Sequence, residues 1–168
     1  MVLVASTRAP VKNIEEFIAL AKKNPDRYSY GSPGVGTALH LAGEMVKDAA
    51  GLAIVHVPYK GAAPLTTDLL GGQLEFGVFV LSSGMPHVRS GKVFAIGTTA
   101  AQRSAMAPEI PALAEHPALK SIDISTWFGL WGPANLPPAV TQRLTQALAE
   151  SLASGDVRKR LQDAGATM

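Results

Sequence analysis

Apolar residues recur at helical spacing in three stretches: Ile14, Phe17, Ile18 and Ala21; Leu41, Ala42, Met45, Val46 and Ala49; and Val140, Leu144, Ala147, Leu148 and Leu152. A repeat near 3.6 marks one buried helix face, whereas short apolar runs bounded by Gly, Pro or Asn mark strands. Asn13 followed by Glu16 forms a capping box for a helix to about Lys23, with Asn24-Pro25 as its stop. A strand is predicted at 28–30. The second helix starts at Gly36 or Thr37 and ends near Gly51, and 53–57 is strand-like. After the loop Pro58-Tyr59-Lys60-Gly61, residues 62–70 read as a short helix closed by Gly71-Gly72 and 74–80 as a buried strand. A helical turn or two follows at 85–90, closed by Gly91, and then a strand at 93–98. Met1 is followed at once by the strand-like Val2-Leu3-Val4-Ala5, without the basic and apolar regions of a signal peptide.

This alternation predicts an α/β domain, doubly wound, with a mostly parallel sheet and helices on both faces. Ligands in such sheets sit at the carboxyl ends of strands, where the loops after Tyr30, Val57 and Val80 would converge. From Thr99 the pattern breaks into a loop rich in Ala and Pro. Residues 122–130 then read as a strand around Trp127 and Phe128, and 138–152 as an amphipathic helix. Asp156 reads as the cap of a last helix that stops at Gly165.

Composition narrows the field. A chain of 168 residues with 47% hydrophobic and 17% charged residues can bury a core. A net charge of +2, with no Lys/Arg run interleaved with aromatics, gives no support to a nucleic-acid partner. The absence of cysteine excludes disulfides, thiolate metal sites and a Cys nucleophile. No apolar run approaches the ~18 residues of a membrane span.

The most informative stretch runs from Tyr28 to His40, a strand leading through a glycine loop into a helix. Gly34 and Gly36 can take positive φ and bring backbone N–H groups to a bound anion, Ser32 and Thr37 add hydroxyls, and the helix start adds about half a positive charge. A plain strand-to-helix turn explains the same residues. A dinucleotide fingerprint fails, because Leu39 stands where the third glycine belongs, and a P-loop fails, because no lysine precedes Thr37. His40 and Glu44 share a helix face as metal ligands or as a solvated polar pair. Ser32, Ser82 or Ser83 could pair with His40, His56 or His87 for hydrolysis, but none lies in a nucleophile elbow. His56 and His116 read as structural. Tyr59-Lys60-Gly61 reads either as a phenol and ammonium for an anion or as a turn, and Trp127 and Phe128 read as packing.

Several of these motifs, in order, resemble the periplasmic solute-binding receptors of tripartite tricarboxylate transporters, also called Bug or TctC-like proteins. The likeness lies in Tyr30-Gly31-Ser32-Pro33-Gly34-Val35-Gly36-Thr37 with His40-Leu41-Ala42, in Val57-Pro58-Tyr59-Lys60-Gly61-Ala62-Ala63-Pro64, and in Asp68-Leu69-Leu70-Gly71-Gly72-Gln73-Leu74-Glu75. It continues through Gly91-Lys92-Val93, Arg103, Pro111 with Ala114-Glu115, Thr126-Trp127-Phe128-Gly129-Leu130 and Pro133-Ala134-Asn135-Leu136-Pro137.

The resemblance implies a type II periplasmic-binding-protein-like fold and a receptor, not an enzyme. Such a receptor closes two domains on a small carboxylate, without cofactor or metal, and hands it to a membrane permease. It implies ligand contacts from Ser32, Gly34, Val35, Gly36, Thr37, His40, Tyr59 and Phe79. It also implies that 1–7 and the start of 122–168 are crossing segments, that 8–121 is the second domain, and that the C-terminal helices pack on a first domain this chain lacks. On that reading the chain is a truncated receptor whose other half would carry the signal peptide. Val140, Leu144, Leu148 and Leu152, left uncovered, would favour a homodimer. An enzyme acting on a small organic acid, and a self-associating remnant without a ligand, are the competing readings.

Overall fold

Helix starts and stops follow local hydrogen bonding in the computed structural model, which describes residues 1–127 and 129–163. The Asn13 side chain accepts the Glu16 amide at 2.8 Å, and Glu16 Oε2 accepts the Lys12 amide at 2.8 Å, opening α1 (Ile14–Lys23). Thr37 caps α2 (Ala38–Ala50) by accepting the His40 amide, and Gly51 closes it at φ 61. Gly72 closes α3 (Ala62–Gly71) in the same left-handed conformation. The strands are β1 (Val2–Ser6), β2 (Ser29–Ser32), β3 (Val55–Pro58), β4 (Phe76–Phe79) and β5 (Val93–Thr98), with α4 (Leu81–Arg89) between the last two.

Contacts divide the chain into two compact units, Met1–Thr126 and Trp127–Met168. The first holds one sheet in the order β3-β2-β4-β1-β5. β2 pairs parallel with β3 and β4, and β1 runs antiparallel to β4 and β5, so β2, β3, β4 and β5 share one direction and the mixed sheet is mostly parallel, with β1 alone reversed. The strand alternation sorts side chains to two faces: Leu3 and Ala5 pack with α1 and α2, Val2 and Val4 with α3 and α4. On the first face the ring of Phe17 meets that of Phe76 edge-on at 4.9 Å.

Three elements differ from the sequence expectation. α4 starts right after β4 rather than at 85, because Val80 is extended and its carbonyl accepts the amides of Ser83 and Gly84, and the helix carries Pro86 within it. Residues 122–127 form no strand. Ile124 exchanges one pair of bonds with Thr99, through its amide to the Thr99 carbonyl and its carbonyl to the Thr99 hydroxyl, and pairs no further. The buried face of α2 is Ala42, Gly43, Val46 and Ala50, while Leu41 and Met45 are exposed. Gly43 lies against the Tyr30 ring, so small residues set the face that approaches β2.

In the second unit α5 (Pro138–Ala153) begins with Pro at its first position and carries exposed Val140, Leu144 and Leu148. α6 (Gly155–Asp163) contains Asp156 rather than being capped by it. The Asp156 carboxylate pairs with Arg160 at 3.0 Å, and the Ser154 carbonyl accepts the Arg158 amide. The expected stop at Gly165 and the packing of Phe128 lie outside the described residues. Among the described residues no helix is long and apolar enough to cross a membrane.

Candidate functional site

Parallel pairing of β2 with both neighbours brings their carboxyl ends to one edge. There the glycine loop and the loop after β3 are tied together: the Tyr59 amide donates to the Ser32 carbonyl at 2.9 Å and the Gly61 amide to the Pro33 carbonyl at 3.1 Å. Gly36 has φ 79, a conformation that glycine adopts without strain.

Most donors that the sequence offered to an anion are engaged within the loop. The Thr37 hydroxyl donates to the Gly34 carbonyl at 2.8 Å while accepting the His40 amide at 3.2 Å. The Thr37 amide donates to Gly34, the Gly34 amide to the Ser32 hydroxyl at 3.4 Å, and the Gly36 amide to His40 Nδ1 at 3.2 Å. Among the described residues the amides of Val35, Ala38 and Leu39 donate to no protein acceptor. They stand at the positive end of α2, in the order loop, first helical residue, second helical residue. The donors available for an anion are therefore displaced from the loop's hydroxyls towards the first turn of the helix.

Beneath the loop lies a polar layer that sequence reading did not assemble, although it offered Ser32 with His56 and His40 with Glu44 as candidate pairs. Ser32 is fully buried, with its Oγ 2.8 Å from His56 Nε2. The His56 ring stacks between Tyr30 (4.9 Å) and His40 (4.2 Å). The Tyr30 hydroxyl donates to Glu44 Oε1 at 2.6 Å, and Glu44 pairs with Lys47 at 3.0 Å. Burial, then the Glu44 bond, push the Tyr30 phenol above its usual range. Burial raises Glu44, but the bonds from Tyr30 and Lys47 outweigh it and hold the carboxyl below its usual range. Burial and the neighbouring His40 hold His56 below the ordinary histidine value, with Glu44 opposing. The signal that could have found His56 was its register: it lies opposite Tyr30 in the parallel pair, so the two rings share a face.

The remaining sequence-predicted residues fall in different places. The Val35 side chain is 72% exposed. The Tyr59 hydroxyl donates to Asp68 Oδ2 at 2.9 Å, and burial with that carboxylate pushes its phenol up to about 12. Its ring lies over Gly31 beside Leu65 and Leu74. Phe79, expected to shape a pocket, is 3% exposed and packs in the core with Val2 and Leu81, because its position in β4 faces α4. Ser32 and His56 make the Ser–His contact that hydrolysis would need, but the hydroxyl is sealed from solvent and no carboxylate side chain bonds His56 among the described residues. His116 accepts the Ala118 amide as a local cap, a structural role.

An open mixed sheet covered by helices on both faces, with a glycine-loop helix start at its carboxyl edge, defines an α/β domain of the periplasmic binding protein class. It matches the periplasmic binding protein BugD with a TM-score of 0.84 at 32% identity, over 96% of this chain and 54% of that one. An R. palustris protein with adipate matches at TM-score 0.88 and 27% identity, over 98% and 55% of the two chains. MatC from Rhodopseudomonas palustris with bound malate matches at 0.87 and 26%, over 98% and 55%. The chain belongs to the tripartite tricarboxylate transporter family receptors (TctC), whose family model matches residues 1–168. Among curated relatives, a UPF0065 protein of Pseudomonas knackmussii is 37% identical over 80% of this chain and 79% of its own length. BugT of Bordetella pertussis is 29% identical over 99% and 51%. This chain spans about half the length of most curated relatives it matches, 49% and 47% in two further cases.

Proposed function

We propose that residues 32–40, with the 59–61 loop beside them, form one wall of a site for a small carboxylate in a periplasmic solute receptor that serves a membrane permease. The observation that carries this reading is the set of unengaged amides, Val35, Ala38 and Leu39, at the positive end of α2. Family membership and the adipate and malate of the structural relatives support the ligand class. No Lys or Arg lies within 32–40, so the wall grips through neutral donors, with His40 behind the loop as a positioning group. Tyr59 bounds the wall by its backbone and ring, since Asp68 takes its hydroxyl. An enzymatic reading through Ser32 lacks a hydroxyl that a substrate could reach. Association of two copies through Val140, Leu144 and Leu148 has no support beyond their exposure and forms no part of the proposal.

A hydrogen bond to a charged group contributes ~1.5–3 kcal/mol, so three such bonds give roughly 4–9 kcal/mol before association costs of ~4 kcal/mol or more. The remainder, at most about 5 kcal/mol, corresponds to a dissociation constant of roughly 0.2 mM or weaker for this wall. Calorimetry and amide NMR with malate and adipate at neutral pH test it. The expected result is binding at roughly 0.2 mM or weaker, with shifts confined to 32–40 and 59–61. A micromolar constant would refute the arithmetic of a single wall, and unmoved amides at ~50 mM ligand would refute the carboxylate reading.

A further inference from the structure

Two histidines from different elements meet under the glycine loop, and only one of them holds it from the helix side. Gly36 N–H donates to His40 Nδ1 at 3.2 Å, which fixes that nitrogen as an acceptor and the ring as the neutral tautomer protonated at Nε2. We propose that His40 is a proton-sensitive positioning residue: it shapes the carboxylate-gripping loop while neutral and releases Gly36, and with it the grip, on acidification. This rests on the reading of residues 32–40 as a carboxylate wall.

The chemistry follows from the atoms in contact. An imidazolium carries a hydrogen on both nitrogens, so a protonated His40 turns its Nδ1 from acceptor to donor and opposes the Gly36 N–H. At Gly36, with φ 79 and nothing within 4 Å of a Cβ position, no side chain resists reorientation of the peptide. The loop that carries the Val35 amide then loses its one bond to the His40 ring. His56 cannot act in the same way: as an imidazolium its Nε2–H still donates to Ser32 Oγ, 2.8 Å away, so its contact with the loop survives protonation. Burial and His40 also oppose its charge.

The charged and titratable groups around the pair come from β2, β3 and α2. Tyr30 of β2 stacks on His56 and bonds Glu44, whose carboxylate favours a charge on His56, while Lys47 opposes it. The other elements packed on α2 bring Glu75, bonded to Ser29, and His116, bonded to Ala118; Lys120 beside them is exposed. None of these three contributes to the balance at His56.

The sign separates this proposal from simple attraction. A cationic His40 that merely attracted carboxylates would tighten binding as pH falls, whereas a His40 that positions Gly36 weakens it. The experiment is an amide and imidazole NMR titration of the 168-residue chain from about pH 8 to pH 5.5, spanning the histidine range, without and with malate. The Gly36 amide is expected to move with the midpoint of the His40 ring. Its exchange rate, corrected for intrinsic pH dependence, should rise about two- to tenfold below that midpoint, with malate affinity falling by a similar factor. His40→Asn places an acceptor oxygen near the Nδ1 position without a titrating ring, and should hold Gly36 in place and remove the pH dependence. A Gly36 amide indifferent to the His40 titration in the unsubstituted chain overturns the proposal, as does tighter malate binding at low pH. Because the Gly36 response needs no ligand, the two ideas fail separately. A loop that follows His40 while malate and adipate shift nothing sustains the proton-sensitive loop and sinks the carboxylate reading.

Discussion

Replacing Gly43 by alanine would put a methyl group into the Tyr30 ring, and the outcome reads how closely α2 approaches the strand that carries the site. The added Cβ would stand 2.2 Å from Cε2, 2.6 Å from Cζ and 2.9 Å from Oη of Tyr30. Contact between carbons is comfortable near ~3.5 Å, so the ring must retreat by about 1.3 Å. Tyr30 is 1% exposed, with the His56 ring centroid 4.9 Å from its own, so little room is available for that retreat. Alanine gains about 1 kcal/mol over glycine as a helix former. Overpacking costs about 1–3 kcal/mol, and the displaced hydroxyl forfeits its bond to the Glu44 carboxylate, about 1.5 kcal/mol at the low end of the charged range. The low end applies because the Glu44 side chain is 38% exposed. The net loss is about 2–3 kcal/mol, against the sign that helix propensity alone would give. Native-state hydrogen exchange at Gly77 and Val78, in β4 of the same unit, should show protection reduced about thirty- to a hundred-and-sixtyfold. Equal or greater protection in Gly43→Ala would refute the close approach. A second test is the pair Gly43→Ala with Tyr30→Leu: if the ring causes the loss, the two effects are far from additive.

Two further outcomes follow from the wiring. Thr37→Ala removes both the cap on the His40 amide and the hydroxyl bond to Gly34, and should destabilise the first turn of α2 by about 1 kcal/mol, whereas Thr37→Ser should recover most of it. Exchange at Leu41 and Ala42 measures this, and equal protection in the alanine variant would refute the cap. Glu115, bonded to Arg103 through both carboxylate oxygens at 2.7 Å and to the Ala112 amide, is held at about 2 against an ordinary 4.5. Because the folded value is depressed, its stabilising contribution is present above the ordinary value and is lost as pH falls towards 2. Arg103→Gln should move the Glu115 midpoint upward in a carboxyl carbon NMR titration. An unmoved midpoint would assign the effect to the Ala112 amide alone.

Sequence legibility tracked how local each determinant is. The capping pair Asn13 and Glu16, the stops at Gly51 and Gly72, and the strand Val93–Thr98 depend on neighbours in sequence and were readable from them. The face of α2 was not, because Leu41 and Met45 are as apolar as Val46; what rotates the helix is the fit of Gly43 on Tyr30, a contact between elements. The start of α4 was hidden by Ser82-Ser83-Gly84 and Pro86, poor helix formers accommodated by its packing on β1 and β5. The run 122–130 carries strand-forming residues, but among residues 122–127 only Ile124, bonded to Thr99, makes a strand-like pairing. The local geometry of the candidate site was half legible. The loop and its helix could be found, but Tyr59 bonding Asp68, Phe79 turning into the core and His56 backing Ser32 depend on which residues the sheet brings opposite one another.

That internal wiring changes how the loop can recognise an anion. A cradle of serine and threonine hydroxyls would adapt, because hydroxyls rotate to meet different oxygens. Here Thr37 and Ser32 are committed to the loop and to His56, leaving backbone amides of which two, Ala38 and Leu39, have directions fixed by the helix. Fixed amides accept any planar carboxylate of the right approach and say little about the rest of the ligand. On the proposed carboxylate reading, selectivity among acids comes from groups that meet the other end of the molecule, outside residues 32–40. Rigidity also lowers the ordering cost of binding, which matters when the donors are neutral and the gross interaction is small. On this account a conservative change in the support, such as His56→Gln, should weaken binding of malate and adipate by similar factors, whereas a change that altered their ratio would show that the support also selects.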